Sequence, residues 1–370
     1  MIYYLGGLLF NAAQSIAADS VWASIVRGSA RLLQSYSLLI IIGLYVGFFL
    51  TRKILPKFYN VLPHDRGRDF TLTKEAAQGK PTGSGIVFIS IFVILTLLII
   101  PVNWYQAGVL ALTWLMMLTG YLDDRSEKGW GEYIKAFLDL VVCSLAAVLL
   151  AFFIKSSNPD GQIYWWFPFV TNPVRIPLWV FILVTIILLW VSINTTNCTD
   201  GVDGLSSTQV LLALMTSAAV LYLVMGHKEI SAYLLVPHLE SGASWGAMTF
   251  CLAGVLMGYL WHNAFPSHVL MGDAGSRALG FFIGITVMIT GNPFMFLATS
   301  SIIFINGGMG LLKVFLKRFL HISIFENIRF PLHDHMRKNR GWSPTQVLIK
   351  FLILQLLITI LILGLFFKVR

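Results

Sequence analysis

The chain has 370 residues, of which 57% are hydrophobic and only 12% charged, with a formal net charge of +9. Soluble globular domains carry about 25% charged residues, so the apolar surplus must face lipid. The basic excess shows no stripe with interleaved aromatics, which excludes a nucleic-acid interface, and its ordinary use is attraction to anionic membrane headgroups.

In chain order, "MIYYLGGLLF" comes first. It lacks a basic leader and a cleavage site, so it reads as a surface or interfacial segment rather than a signal peptide. Ten apolar stretches follow, at about 33–51, 85–102, 107–122, 137–154, 177–193, 206–225, 244–261, 278–291, 294–316 and 347–367. A bilayer-spanning helix needs roughly 20 mostly apolar residues. The pattern predicts an all-α integral membrane protein with ten transmembrane helices. A single polytopic membrane domain covers 1–370, with five cytoplasmic loops at about 52–84, 123–136, 194–205, 262–277 and 317–346.

Lys and Arg set the orientation. With ten spans, 19 of the 26 fall on one side, which makes that side cytoplasmic and puts both termini outside. Thirteen of the 17 acids fall there too. Cys143, Cys198 and Cys251 have no metal-ligand spacing and lie where thiols stay reduced, so no disulfide is expected.

Four cytoplasmic loops concentrate polar groups at membrane level. "GYLDDRSEKGWGEYIKAF" places Asp123 and Asp124 side by side at a span's end, and adjacent carboxylates repel unless a cation lies near them. "NTTNCTDGVDGLSS" carries Asp200 and Asp203 between two apolar runs. Their spacing puts both on one face if a helix opens there, with Thr199 or Asp200 as its N-cap. Taken alone, that motif could be a cap and nothing more. "HNAFPSHVLMGDAGSRALGF" sets Asp273 between glycines, where backbone can approach a ligand closely. "PLHDHMRKNRGWSP" brings His333, Asp334 and His335 beside Arg337, Lys338 and Arg340. The histidines could ligate a metal, but their basic neighbours favour phosphate binding. Asp334 should favour a protonated ring at His333 or His335. "GKPTGSG" is Gly-rich but lacks the P-loop spacing.

Gathered carboxylates suit Mg²⁺, a hard cation commonly completed by substrate phosphates. The chemistry that emerges is phosphoryl transfer at the inner face of a membrane. A transporter would place its binding groups near the midplane, whereas these collect at helix ends and mid-span acids are absent.

In combination, "NxTDGxDGL", "MGDxGSxALG" and "HxHxxxxxGW" resemble the polyprenyl-phosphate N-acetylhexosamine-1-phosphate transferases over about residues 70–345. Thr199 and the Gly341–Trp342 pair favour the muramoyl-pentapeptide branch over the GlcNAc-1-phosphate branch. The resemblance implies that undecaprenyl phosphate attacks the β-phosphate of UDP-MurNAc-pentapeptide, giving lipid I and UMP, with Mg²⁺ required. It implies a homodimer in the bacterial inner membrane, multi-pass, with its active site facing the cytoplasm. By motif, Asp273 is the Mg²⁺ ligand and a catalytic residue, together with Asp123, Asp124, Asp200 and His333. Lys80, Thr82, Lys135, Asn197, Asp203, Asn263 and His335 fall to substrate binding. The chain departs from the pattern at Asp334, where a histidine is common, and at Leu270, where an aromatic is common. At Ala77 a basic residue is missing and Lys80 stands in reach instead. The residues leave open whether transfer is direct or passes through a phospho-aspartyl enzyme.

Overall fold

Each of the ten apolar stretches contains a helix in the computed structural model, which describes residues 1–14, 21–67 and 78–368. Arg68, Lys74 and Ala77 of the first basic loop, and Arg370, lie outside the described residues.

Helices α1 (Ile2–Gln14) and α2 (Val21–Gln34) pack on each other, and α1 takes up the apolar N-terminal segment. Then come α3 (Tyr36–Ile54), α4 (Gly85–Ile99), α5 (Trp104–Arg125) and α6 (Glu132–Ser157). Asn103 and Gln106 start α5 with a reciprocal capping box: each side chain accepts from the other's backbone N–H, at 2.8 and 3.0 Å.

A short antiparallel hairpin, β1 (Ile163–Trp165) with β2 (Val174–Ile176), interrupts the helices. The all-α expectation is amended by this hairpin. "QIYWW" is rich in strand formers and pairs in the register Ile163↔Ile176 and Trp165↔Val174.

The second half holds α7 (Leu178–Thr199), α8 (Leu205–Ala219), α9 (Lys228–Leu234), α10 (Gly242–Asn263), α11 (Gly272–Ile289), α12 (Met295–Ile303), α13 (Met309–Phe319), α14 (Leu332–Arg340) and α15 (Pro344–Phe366). A π-helical turn, Phe304–Gly308, joins α12 to α13. Among the described residues, seven helices are long and apolar enough to cross a membrane. The other three expected spans correspond to α4, which has only 15 residues, and to α5 and α11.

Helix α11 is the centre of the bundle. Every residue from Asp273 to Ile289 is buried, against α4, α5, α7 and α8. A helix apolar on all sides belongs inside the protein. The loops are shorter than expected, because α7 runs through Asn197 to Thr199 and α11 begins at Gly272. Polar residues at helix ends resemble loop in sequence, although a helix terminus accommodates them readily.

Candidate active site

Three helix ends converge on one carboxylate cluster. Asp123 and Asp124 close α5, Lys135 lies in the first turn of α6, and Asp273 opens α11. Their meeting depends on close backbone approach. A side chain at Gly120 would overlap the backbone of Asp273, so α5 and α11 can touch only if this residue is glycine. Gly272 has φ of +67°, and a Cβ there would overlap the Asp124 carboxylate.

The two adjacent aspartates face different partners, as successive helical residues must. Asp124 accepts the backbone N–H of Asp273 on Oδ1 and that of Ala274 on Oδ2, both at 3.0 Å. These are N–H groups of the first turn of α11, which have no partner within the helix, and a carboxylate there also complements the helix dipole. Asp123 is buried, accepts the backbone N–H of Trp130 at 2.5 Å and pairs with Lys135. The same Lys135 ammonium donates to Asp273 Oδ2 at 2.9 Å.

One oxygen from each of Asp123, Asp124 and Asp273 can be chosen so that all lie within 4.8 Å of one another. Hard oxygen donors in this arrangement fit a divalent cation such as Mg²⁺. Lys135 supplies positive charge to the cluster, so its observed contacts are with carboxylates.

A polar cavity of about 230 Å³ adjoins the cluster, lined among others by Thr82, Asp124, His64, Arg66 and Lys128. The last three are functional candidates that sequence reasoning missed; "PHDRGR" and "DDRSEK" show in sequence only as solvated charge. The Thr82 segment is tied to the Asp273 loop. Leu270 donates its N–H to Pro81 O at 2.8 Å, and Ser84 Oγ donates to Leu270 O at 2.9 Å. Lys80 Nζ donates to Ser267 Oγ at 3.0 Å and lies 3.6 Å from Asp203 Oδ2. Asp203 Oδ2 also accepts the Ser267 N–H at 3.0 Å.

Asp200 and Asp203 do not open a helix. Asp200 follows the last residue of α7, and α8 begins only after Gly204, whose φ is +75°. Thr199 is a helical residue whose hydroxyl donates to Thr195 O. The N-cap expectation is therefore corrected: glycines 201 and 204 make a turn between two helices. Asn197 accepts from Ser276 Oγ at 3.1 Å, which fixes α7 to α11. Asn263 is buried, and its amide is occupied inside the protein. Oδ1 accepts from Gly204 N and Ser207 Oγ, and Nδ2 donates to Val269 O. Its observed work is to hold the Asp203 turn to the loop before Asp273.

The histidine motif is helix α14. His333 is only 2% exposed, whereas His335 is half-buried and accepts the Arg329 N–H at 3.3 Å on Nδ1. Burial, with Arg337 nearby, pushes the His333 ring down to about 3, so it is neutral. The expectation that Asp334 holds His333 cationic is corrected on this point. Asp334 Oδ1 lies 3.7 Å from Nε2, beyond hydrogen-bond range, and burial raises Asp334 itself. The charged partner of Asp334 is Arg329.

A second charged layer lies one turn deeper. Arg277 and Asp139 form a buried ion pair between α11 and α6, four residues on from Asp273 and Lys135 respectively. Asp139 is the third residue of the stretch expected to span at about 137–154, so the pair lies near a helix end and not at mid-span. Asp139 inside an apolar stretch and Arg277 in "GSRALG" were the available signals.

A family model, glycosyl transferase family 4, matches residues 106–291, the stretch that carries the carboxylate cluster. The chain belongs to glycosyl transferase family 4. Curated relatives extend the match on both sides. A phospho-N-acetylmuramoyl-pentapeptide-transferase of Treponema pallidum (strain Nichols) is 53% identical over 343 residues, 93% of this chain and 93% of the relative. The protein of that name from Wolinella succinogenes is 29% identical, covering 88% of this chain and 93% of its own. One from Campylobacter jejuni (strain RM1221) is 30% identical over 77% of this chain and 80% of its own. As a glycosyl transferase family 4 protein, the chain places the family's matched region around α5–α11, where two helix ends deliver three carboxylates and a third delivers Lys135.

Proposed function

We propose that this protein transfers phospho-MurNAc-pentapeptide from UDP-MurNAc-pentapeptide to undecaprenyl phosphate, releasing UMP and forming lipid I for peptidoglycan synthesis. One observation carries the reading: Asp123, Asp124 and Asp273 meet at the ends of apolar helices, in a chain 53% identical to relatives bearing that activity's name. The reading includes ten spans, outward termini and a cytoplasmic active site in the bacterial inner membrane. The Lys and Arg distribution supports the orientation, and the family resemblance supports a homodimer.

Asp123, Asp124 and Asp273 would hold Mg²⁺, which would neutralise phosphate charge and align the diphosphate for in-line attack. The chain's own residues do the positioning. Asp124 fixes the start of α11 and so the direction of Asp273. Lys135 draws Asp123 and Asp273 together and offers a cation where phosphate oxygens would arrive. Lys80, two residues before Thr82, presents a second cation beside the Asp203 turn, a site for the nucleotide portion.

Radiolabelled UDP-MurNAc-pentapeptide and UDP-GlcNAc, each offered with undecaprenyl phosphate, test the reading. Label from the muramoyl substrate should enter the lipid phase with release of UMP. Label from UDP-GlcNAc alone would transfer the assignment to the GlcNAc-1-phosphate branch.

A further inference from the structure

Asn306 is fully buried in the π-helical turn Phe304–Gly308, within what reads in sequence as an apolar span. Its Oδ1 accepts two hydrogens from one residue: the backbone N–H of His333 at 2.8 Å and the ring Nδ1 at 3.1 Å. The backbone group can only donate, so the oxygen of the amide must point at His333. An oxygen 3.1 Å from Nδ1 in turn requires the proton on that nitrogen. Nε2 is then the end that can accept. It is directed at the turn after α7, where a Cβ on Gly201 would overlap it. Asn306 also satisfies a first-turn N–H of α14, while its own Nδ2 has no hydrogen-bond partner among the described residues. An amide buried in a span and aimed at one ring is an expensive feature unless it does something.

We propose that Asn306 is a positioning residue of this enzyme: it holds His333 as the Nδ1–H tautomer with Nε2 as the proton-accepting end, facing the Asp200–Gly201 turn. An amide suits this task because it orients the ring without charging it. The charged groups near the ring are Arg337 and Asp334 on its own helix and Asp200, the chain neighbour of Gly201. The π-helical turn itself brings none.

Two measurements test the proposal on the full-length protein in detergent. Histidine nitrogen-15 spectra, assigned by the loss of one ring in His333→Gln, should show His333 neutral and Nδ1-protonated at pH 6. Asn306→Asp keeps both acceptor bonds and sets a carboxylate against Nδ1, which favours the imidazolium. In that variant the His333 signal should become cationic at pH 6. The pH dependence of kcat/KM should also gain an acidic limb, displaced upward from wild type by about one pH unit or more. A His333 ring that is charged or Nε2-protonated in the wild type overturns the proposal, and so does an Asn306→Asp variant with unchanged spectra and profile. Only the rate measurement rests on the proposed transfer reaction. The spectra therefore decide the role of Asn306 even if that reaction is wrong.

Discussion

The carboxylate of Asp124 receives the backbone N–H of Asp273 at 3.0 Å, so one member of the acid cluster is the anchor for another. Asp123, its neighbour in sequence, touches Lys135 and the backbone of Trp130 instead. The pair therefore divides into one group that shapes the site and one that faces its cation.

That division is measurable. Asp124→Asn retains one amide oxygen for two backbone donors, so one N–H of α11 loses its acceptor. The melting temperature should fall by an amount corresponding to roughly 1–3 kcal/mol, with loss of turnover. Asp123→Asn leaves Lys135 paired with Asp273 and removes a like charge from the cluster. Its melting temperature should stay near that of the wild type while its rate falls and its Mg²⁺ requirement rises. Equal losses of stability in the two variants would contradict the assignment.

Asp273→Asn should abolish turnover and leave the protein folded. A second readout separates metal binding from catalysis. A ligand that binds the folded state raises its melting temperature by mass action. Mg²⁺ titration should raise the melting temperature of the wild type and leave that of Asp273→Asn unmoved. An equal rise in both would remove Asp273 from the metal site.

Lys80 joins the Thr82 segment to the Asp203 turn through Ser267 and Asp203. Lys80→Ala should raise KM for the UDP substrate at least several-fold, with a smaller change in kcat, because the contacts of the lysine are with Ser267 and Asp203 and not with the Asp123–Asp273 cluster. Initial rates against UDP-substrate concentration at fixed lipid phosphate decide this. A pure kcat defect would relocate Lys80 to the reacting phosphate.

The Arg277–Asp139 pair is buried on both sides. Removing one partner of such a pair costs about 3–5 kcal/mol because a charge is left uncompensated, whereas replacing both with apolar residues is often neutral or stabilising. Arg277→Leu should fall to low folded yield, and Arg277→Leu with Asp139→Leu should recover it, as read by monodisperse protein after size-exclusion chromatography. Failure of the double variant to recover would show that the pair has a role beyond mutual charge compensation.

His333 provides a pH test of stability. Its ring is depressed from 6.5 to about 3 in the folded protein, so the unfolded chain binds more protons between those values. Its contribution is complete above about pH 6.5 and is lost as pH falls, with a slope approaching about 1.36 kcal/mol per pH unit. Asp334, raised by burial, works in the opposite direction: its folded form gains stability as pH falls through its folded pKa. The His333 share is therefore read as a difference. Between pH 7.5 and pH 5 the wild type should lose more melting temperature than His333→Gln, and equal losses would show that the ring is charged in the folded state.

The apolar stretches and the residue types of the carboxylate cluster were legible in the sequence. Spanning helices need long apolar runs, so hydropathy alone locates a helix in each of the ten apolar stretches, but not the short polar helices α9 and α14. The motif acids were legible for a related reason: charge next to an apolar run stands out. Which acid does what was not. Asp123 and Asp124 are equivalent as letters and differ only because α11 starts opposite one of them, a packing made possible at Gly120 and Gly272. Asn263 resembles a substrate contact in sequence, yet its amide is occupied within the protein. Asn306 and Asp139 gave weaker signals still, since each is a single polar residue in an apolar segment. Their partners, His333 and Arg277, lie 27 and 138 residues away along the chain. Composition and periodicity describe how a segment meets lipid or water. Hydrogen-bond direction and charge pairing arise only when helices distant in sequence are brought side by side, and that was decided by the tertiary structure.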